Sequence, residues 1–122
     1  MSRADELAAA WVAFWNGDLS RAGTLLSSGF RIHFAGGNDA ALAGDRVRGP
    51  AEMAAYVEDF REQRPGLRFT LDGPPVAGDA GFAIRWTAQR AGVHVGGIDL
   101  LHLAGDRIAE VWSVTGERPF PG

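Results

Sequence analysis

The chain contains no cysteine and no lysine. Without thiols there is no cysteine nucleophile, no cysteine-bound zinc and no disulfide scaffold. All 12 basic residues are arginine, which excludes Schiff-base chemistry, covalent pyridoxal phosphate and a phosphate-loop lysine. No apolar run is long enough for a transmembrane helix, so no membrane partner is expected. Positive charge is in deficit: the net charge is −3, the wrong balance for a nucleic-acid-binding face. The start, Met1-Ser2-Arg3-Ala4-Asp5-Glu6, lacks the basic region and apolar stretch of a secretory leader, so a cytoplasmic location is expected. What remains for chemistry is Asp, Glu, Arg, Ser, Thr, three histidines and a single tyrosine. No histidine pair has metal spacing with a third ligand, so neither a metal nor another cofactor is expected. The length of 122 residues fits one domain, residues 1–122, large enough to bury a core without a staple.

Residues 4–16 read as a helix, with Leu7, Trp11, Phe14 and Trp15 on one apolar face. Ser2 and Asp5 form a capping pair at its start, and Asn16-Gly17 ends it. A second helix is expected over 18–28, with Leu19, Ala22, Leu25 and Leu26 inward. Phe30-Arg31-Ile32-His33-Phe34 alternates, as a short strand does. Residues 36–49, rich in Gly, Ala and Asp, read as a loop. Pro50 opens a third helix, in which Met53, Tyr56, Val57 and Phe60 recur at helical spacing. Pro65-Gly66 stops it. Strands follow over 67–71, 81–90, 93–103 and 107–115, the last two joined by the turn Ala104-Gly105-Asp106. Helices followed by a meander predict an α+β fold with three helices on one face of a curved antiparallel sheet.

The last two strands are apolar on both faces. Ile98 and Leu100 alternate with Leu101 and Leu103, and Ile108, Trp112 and Val114 with Ala109 and Val111. A sheet wet on one side would not show this. One face is expected on the helices, and the other in a homodimer built on Ile98, Leu100, Ile108 and Trp112. His94 and His102 share that second face.

The final hairpin, Gly97-Ile98-Asp99-Leu100-Leu101-His102-Leu103-Ala104-Gly105-Asp106-Arg107-Ile108-Ala109-Glu110-Val111-Trp112, resembles that of the nuclear transport factor 2-like superfamily of cone-shaped α+β proteins. The resemblance is strongest to its SnoaL-like polyketide cyclase and ketosteroid isomerase branches. Asn16-Gly17-Asp18 and Arg48-Gly49-Pro50 match as well, and nearly the whole chain is covered as one SnoaL-like domain. Ketosteroid isomerases carry an acid in the last hairpin, an aspartate base on the first strand and a tyrosine on the first helix. The resemblance places Asp99 at the first of these, Phe34 at the second and Trp11 at the third. Arg85-Trp86-Thr87 lacks the second acid of the Asp-Arg-Asp set in the superfamily's epoxide hydrolases. The resemblance therefore implies SnoaL-like chemistry with one carboxylate and histidine help.

Asp99 lies mid-strand among apolar residues and shares the inward face with Leu101. Desolvation there raises a carboxyl pKa and suits it to acid–base work near neutral pH. The alternative is a structural Asp bonded to backbone or arginine. His33 is a general base or orienting donor if it faces the site, and an outward residue opposite Phe30, Ile32 and Phe34 if it does not. Trp11, Trp15, Phe34, Tyr56, Phe60 and Trp86 are expected to wall a pocket for a flat apolar ligand, their alternative role being core. Ser113 and Thr115 offer hydroxyls to the same space. Gly96-Gly97 permits a bulge or a close approach. Arg46 and Arg48 either steer an acidic substrate or are solvated loop charges. These residues predict a cofactor-independent cyclase, isomerase or dehydratase acting by acid–base catalysis on an apolar, cyclic or polyketide-like substrate. The rival is a non-catalytic binding or dimerisation module of the same fold.

Overall fold

The computed structural model describes residues 2–121. Helix α1 (Arg3–Trp15) starts at the expected capping box, where Ser2 accepts from the Asp5 backbone and Asp5 accepts from that of Ser2. A short 3-10 turn (Leu19–Arg21) and helix α2 (Ala22–Leu25) follow, then strand β1 (Leu26–Phe34). The second helix is therefore much shorter than expected. Ser27, Ser28 and Gly29 are weak helix formers, and Leu26 is instead extended and paired with Ile108. The segment expected to be a loop contains helix α3 (Asp39–Gly44), capped by the Asn38 side chain on the Ala41 amide. Helix α4 (Gly49–Glu62) has Pro50 in its first turn, as its sequence indicates.

Strands β2 (Arg68–Leu71), β3 (Val76–Ala77), β4 (Gly81–Arg90), β5 (Val93–Ala104) and β6 (Arg107–Thr115) complete one sheet in the order β1-β6-β5-β4-β2, with β3 also on β4. The meander β4–β5–β6 is antiparallel. The sheet is nevertheless mixed, because β1 lies parallel to β6. The helices cover one face. The core beneath them holds Trp11, Phe14, Phe30, Ile32, Met53, Val57, Leu101 and Val111, all essentially inaccessible.

The opposite face leaves Ile98, Leu100, Trp112 and Val114 exposed, the first three as expected for an outer strip. Ile108 departs from that expectation: it is fully buried in the core. The reason is a β-bulge. His102 pairs with Glu110 but Leu103 pairs with Ile108, so Ala109 is an extra residue in β6. Strict alternation fails across a bulge, and every side chain on its far side changes face.

Candidate active site

A cavity of about 420 Å³ opens between the helices and the inner face of the sheet, within the usual range for small-molecule sites. Its walls are aromatic. α1 contributes Trp11 and Trp15, β1 Phe34, α4 Tyr56 and Phe60, and β4 Trp86. Trp15 is the hub: its ring meets those of Trp11, Phe34, Tyr56, Phe60 and Phe69 at centroid distances of 5.5–6.3 Å, all near edge-on. The Asn16 side-chain amide donates to the Phe69 carbonyl (3.0 Å) and accepts from the Phe69 amide (2.8 Å). It thus occupies the place of a neighbouring strand and pins β2 against the end of α1.

Asp99 sits at the deep end, 5% exposed. It belongs to β5, between Ile84 of β4 and Ser113 of β6. The Trp11 indole donates to Oδ2 at 2.9 Å and the Trp86 indole to Oδ1 at 3.0 Å. The Ser113 hydroxyl also donates to the carboxyl. No arginine pairs with it among the described residues. Burial pushes the Asp99 pKa above the ordinary carboxylate value, and the bonds from Ser113, Trp11 and Trp86 oppose that rise without cancelling it. A carboxylate accepts along about four lone-pair directions. The two indoles occupy two of them, which leaves acceptor capacity for Ser113 and for a group in the cavity.

The second indole can reach Asp99 because Gly97 faces Trp86 across the β4–β5 pair. A Cβ on Gly97 would collide with that ring. The Gly96-Gly97 pair therefore permits a close approach, and the register shift in the β5–β6 pairing lies elsewhere, at Ala109. Thr115 lines the cavity with Ser113.

His33 does not reach this site. Being next to Phe34, which faces the cavity, it points to the other side of β1. There its Nε2 lies 2.6 Å from Glu110 Oε2, and its ring stacks on Trp112 at 5.3 Å. His102 meets the same indole edge-on at 4.7 Å. Arg46 and Arg48 are not among the lining residues either, and Arg48 spends its guanidinium on the Asp45 and Val47 carbonyls. The Tyr56 hydroxyl donates to the Ala40 carbonyl at 2.7 Å, and burial pushes its pKa up to about 12, so it stays neutral. Among the described residues no three His, Asp or Glu side chains gather as a metal would require.

Some lining residues escaped the sequence argument. Arg64, just past the end of α4, lays its guanidinium 3.8 Å over the Phe60 ring. The signal was present as Phe60-x-x-x-Arg64, an i,i+4 pair at a helix end. Asn38 was likewise hidden inside the expected loop.

Residues 7–111 match the family model described as the SnoaL-like domain. No curated protein matches the sequence. Among solved structures, the chain is similar to a candidate isomerase of the SnoaL-like family from Agrobacterium tumefaciens, at 22% identity and a TM-score of 0.75 over 95% of this chain and 99% of that one. It is also similar to IdmH, a candidate polyketide cyclase from Streptomyces antibioticus, at 18% identity and a TM-score of 0.72 over 94% and 92%. A third is a candidate ketosteroid isomerase from Kribbella flavida, at 18% identity and a TM-score of 0.72 over 98% and 84%. At these identities the likeness establishes the fold.

Proposed function

This chain belongs to the SnoaL-like domain family, and from that membership and the chemistry of its cavity we propose a cofactor-independent acid–base enzyme. Asp99 is its proton-transfer group. The substrate is an apolar, ring-bearing carbonyl compound of the kind a cyclase, isomerase or dehydratase handles. The observation that carries this reading is the setting of Asp99: a desolvated carboxyl with no counter-charge among the described residues, lining an aromatic cavity and with acceptor capacity beyond its two indole bonds. The ionised carboxylate takes a proton from a carbon next to the carbonyl, and the protonated acid returns it elsewhere on the same molecule. The two indoles and Ser113 hold the carboxyl in place through both states, and the aromatic walls exclude water.

The test is proton exchange. A panel of cyclic ketones and β-keto esters is incubated with the protein in D2O and followed by NMR. Accelerated exchange that falls by ~10²–10⁴ in Asp99→Asn, the range for losing one general base, supports the reading. Saturable binding without exchange favours the binding-module alternative.

The same proposal includes a homodimer through the outer strip. Ile98, Leu100, Trp112 and Val114 are 37–56% exposed. Covering what remains open would give roughly 3–6 kcal/mol before association costs, taking about half of 1.5–3 for each side chain.

A further inference from the structure

An acidic and a basic side chain line the cavity, and they stand at different depths. Asp99 is buried at the deep end, whereas Arg64 is half-buried and nearer solvent. Between them runs aromatic wall: Trp11 bonds Asp99 and lies 6.0 Å from Trp15, which lies 5.6 Å from Phe60, the ring beneath Arg64. Arg64 has a fixed geometry. Its guanidinium carbon lies 3.8 Å from the Phe60 ring centroid, and Nη1 donates to the Phe60 carbonyl at 3.1 Å. Yet among the described residues no carboxylate pairs with it. The remaining N–H donors have no acceptor among the described residues. A guanidinium partly out of water, held rigid and without a counter-ion is a ready partner for a planar oxygen anion. Asn38 also lines the cavity. Its Oδ1 is spent on the Ala41 amide, which leaves the Nδ2 donor available.

We propose that Arg64 anchors the carboxylate of an apolar, ring-bearing acid, so that the ligand lies along the aromatic wall with its uncharged end at Asp99. This rests on the cavity being the substrate site described above. Charge sets the orientation. A ligand carboxylate at the buried end beside Asp99 would lose its water and find no counter-charge, whereas Arg64 supplies one, so the acid group settles at Arg64 and the far end of the ring system is delivered to the proton-transfer group. An arginine serving merely to cover Phe60 and close the end of α4 would impose no preference for acids.

The probes are anthracene-2-carboxylate and its methyl ester, titrated at pH 7.5 by quenching of the protein's tryptophan fluorescence and checked by calorimetry. The acid is expected to bind at least about tenfold more tightly than the ester, as a charge-assisted pair allows. Arg64→Gln should abolish that ratio, with circular dichroism showing the fold retained. Arg64→Lys, a point charge without the fork, should keep only part of it. The proposal is overturned if the ester binds as tightly as the acid, if neither binds saturably, or if the ratio survives Arg64→Gln. Should Arg64→Gln not fold, the wild-type ratio and its reduction in Arg64→Lys decide the matter. The readout is independent of turnover. Failed exchange chemistry with an intact acid preference removes the catalytic reading alone, and a lost preference with an intact Asp99→Asn effect removes this anchor alone.

Discussion

The two faces of the sheet each carry an acid beside a tryptophan, and they use them differently. On the inner face Asp99 is closed off from water and takes two indole N–H groups and a hydroxyl. On the outer face Glu110 has its side chain 39% exposed and lies 2.6 Å from His33 Nε2, whose ring stacks on Trp112. Both are carboxylates on adjacent strands of one hairpin. Burial separates them: it raises the proton affinity of Asp99, while water screens the Glu110 pair. A hydrogen bond from a neutral indole steadies a buried carboxylate without supplying the counter-charge that would make it inert.

Substitution at the two acids sharpens this contrast most. Asp99→Asn should cut turnover by ~10²–10⁴, whereas Glu110→Gln should leave it within about twofold, because Glu110 touches neither the cavity nor the groups that line it. Steady-state rates on any exchanging substrate check both, and equal losses would break the comparison.

Trp112→Arg should convert a dimer to a monomer in sizing and sedimentation at micromolar concentration, without disturbing the cavity. A wild-type protein that is monomeric at the same concentration would refute the association.

Gly97→Ala should cost about 1–3 kcal/mol of stability, the usual penalty of overpacking. It should also lower turnover, since the displaced Trp86 indole withdraws a donor from Asp99. Denaturation with urea measures the first effect. The Glu110→Gln exchange should cost under about 1 kcal/mol in the same assay.

The pH dependence has a definite sign. The folded Asp99 holds its proton more tightly than the unfolded chain does. Its contribution to stability is therefore fully present below the unfolded value of 3.8 and is lost as pH climbs through the raised folded value. Relative to Asp99→Asn, the wild type should be most favoured near pH 4 and least favoured near pH 8. A gap that stays constant or widens with pH would contradict the desolvated acid.

Much of this was legible from the amino acids. Periodicity gave α1 and α4, with Trp11, Trp15, Tyr56 and Phe60 on their inner faces, and alternation in β5 put Asp99 inward. The same alternation turned His33 away from Phe34, against a catalytic role for it. Three features were not legible. Helix α3 is only six residues of small side chains and carries too little hydrophobic contrast to stand out from a loop. The parallel pairing of β1 with β6 is a long-range contact that no local pattern encodes. Arg64 follows the last apolar repeat of α4; its pairing with Phe60 is local, but that it lines the cavity depends on how the end of α4 packs against the rest of the fold.

The bulge at Ala109 has a wider consequence. Before it, the even-numbered Ile108 faces the helices; after it, the odd-numbered Val111, Ser113 and Thr115 do. A β6 of strict parity could serve only one of these tasks, either closing the core beneath the turn or standing a hydroxyl beside Asp99. The additional residue lets a single strand change phase halfway along. The end near the turn can then vary to suit packing, and the other end keeps its alignment with the acid. One inserted alanine divides the hairpin into a structural half and a chemical half that can drift independently.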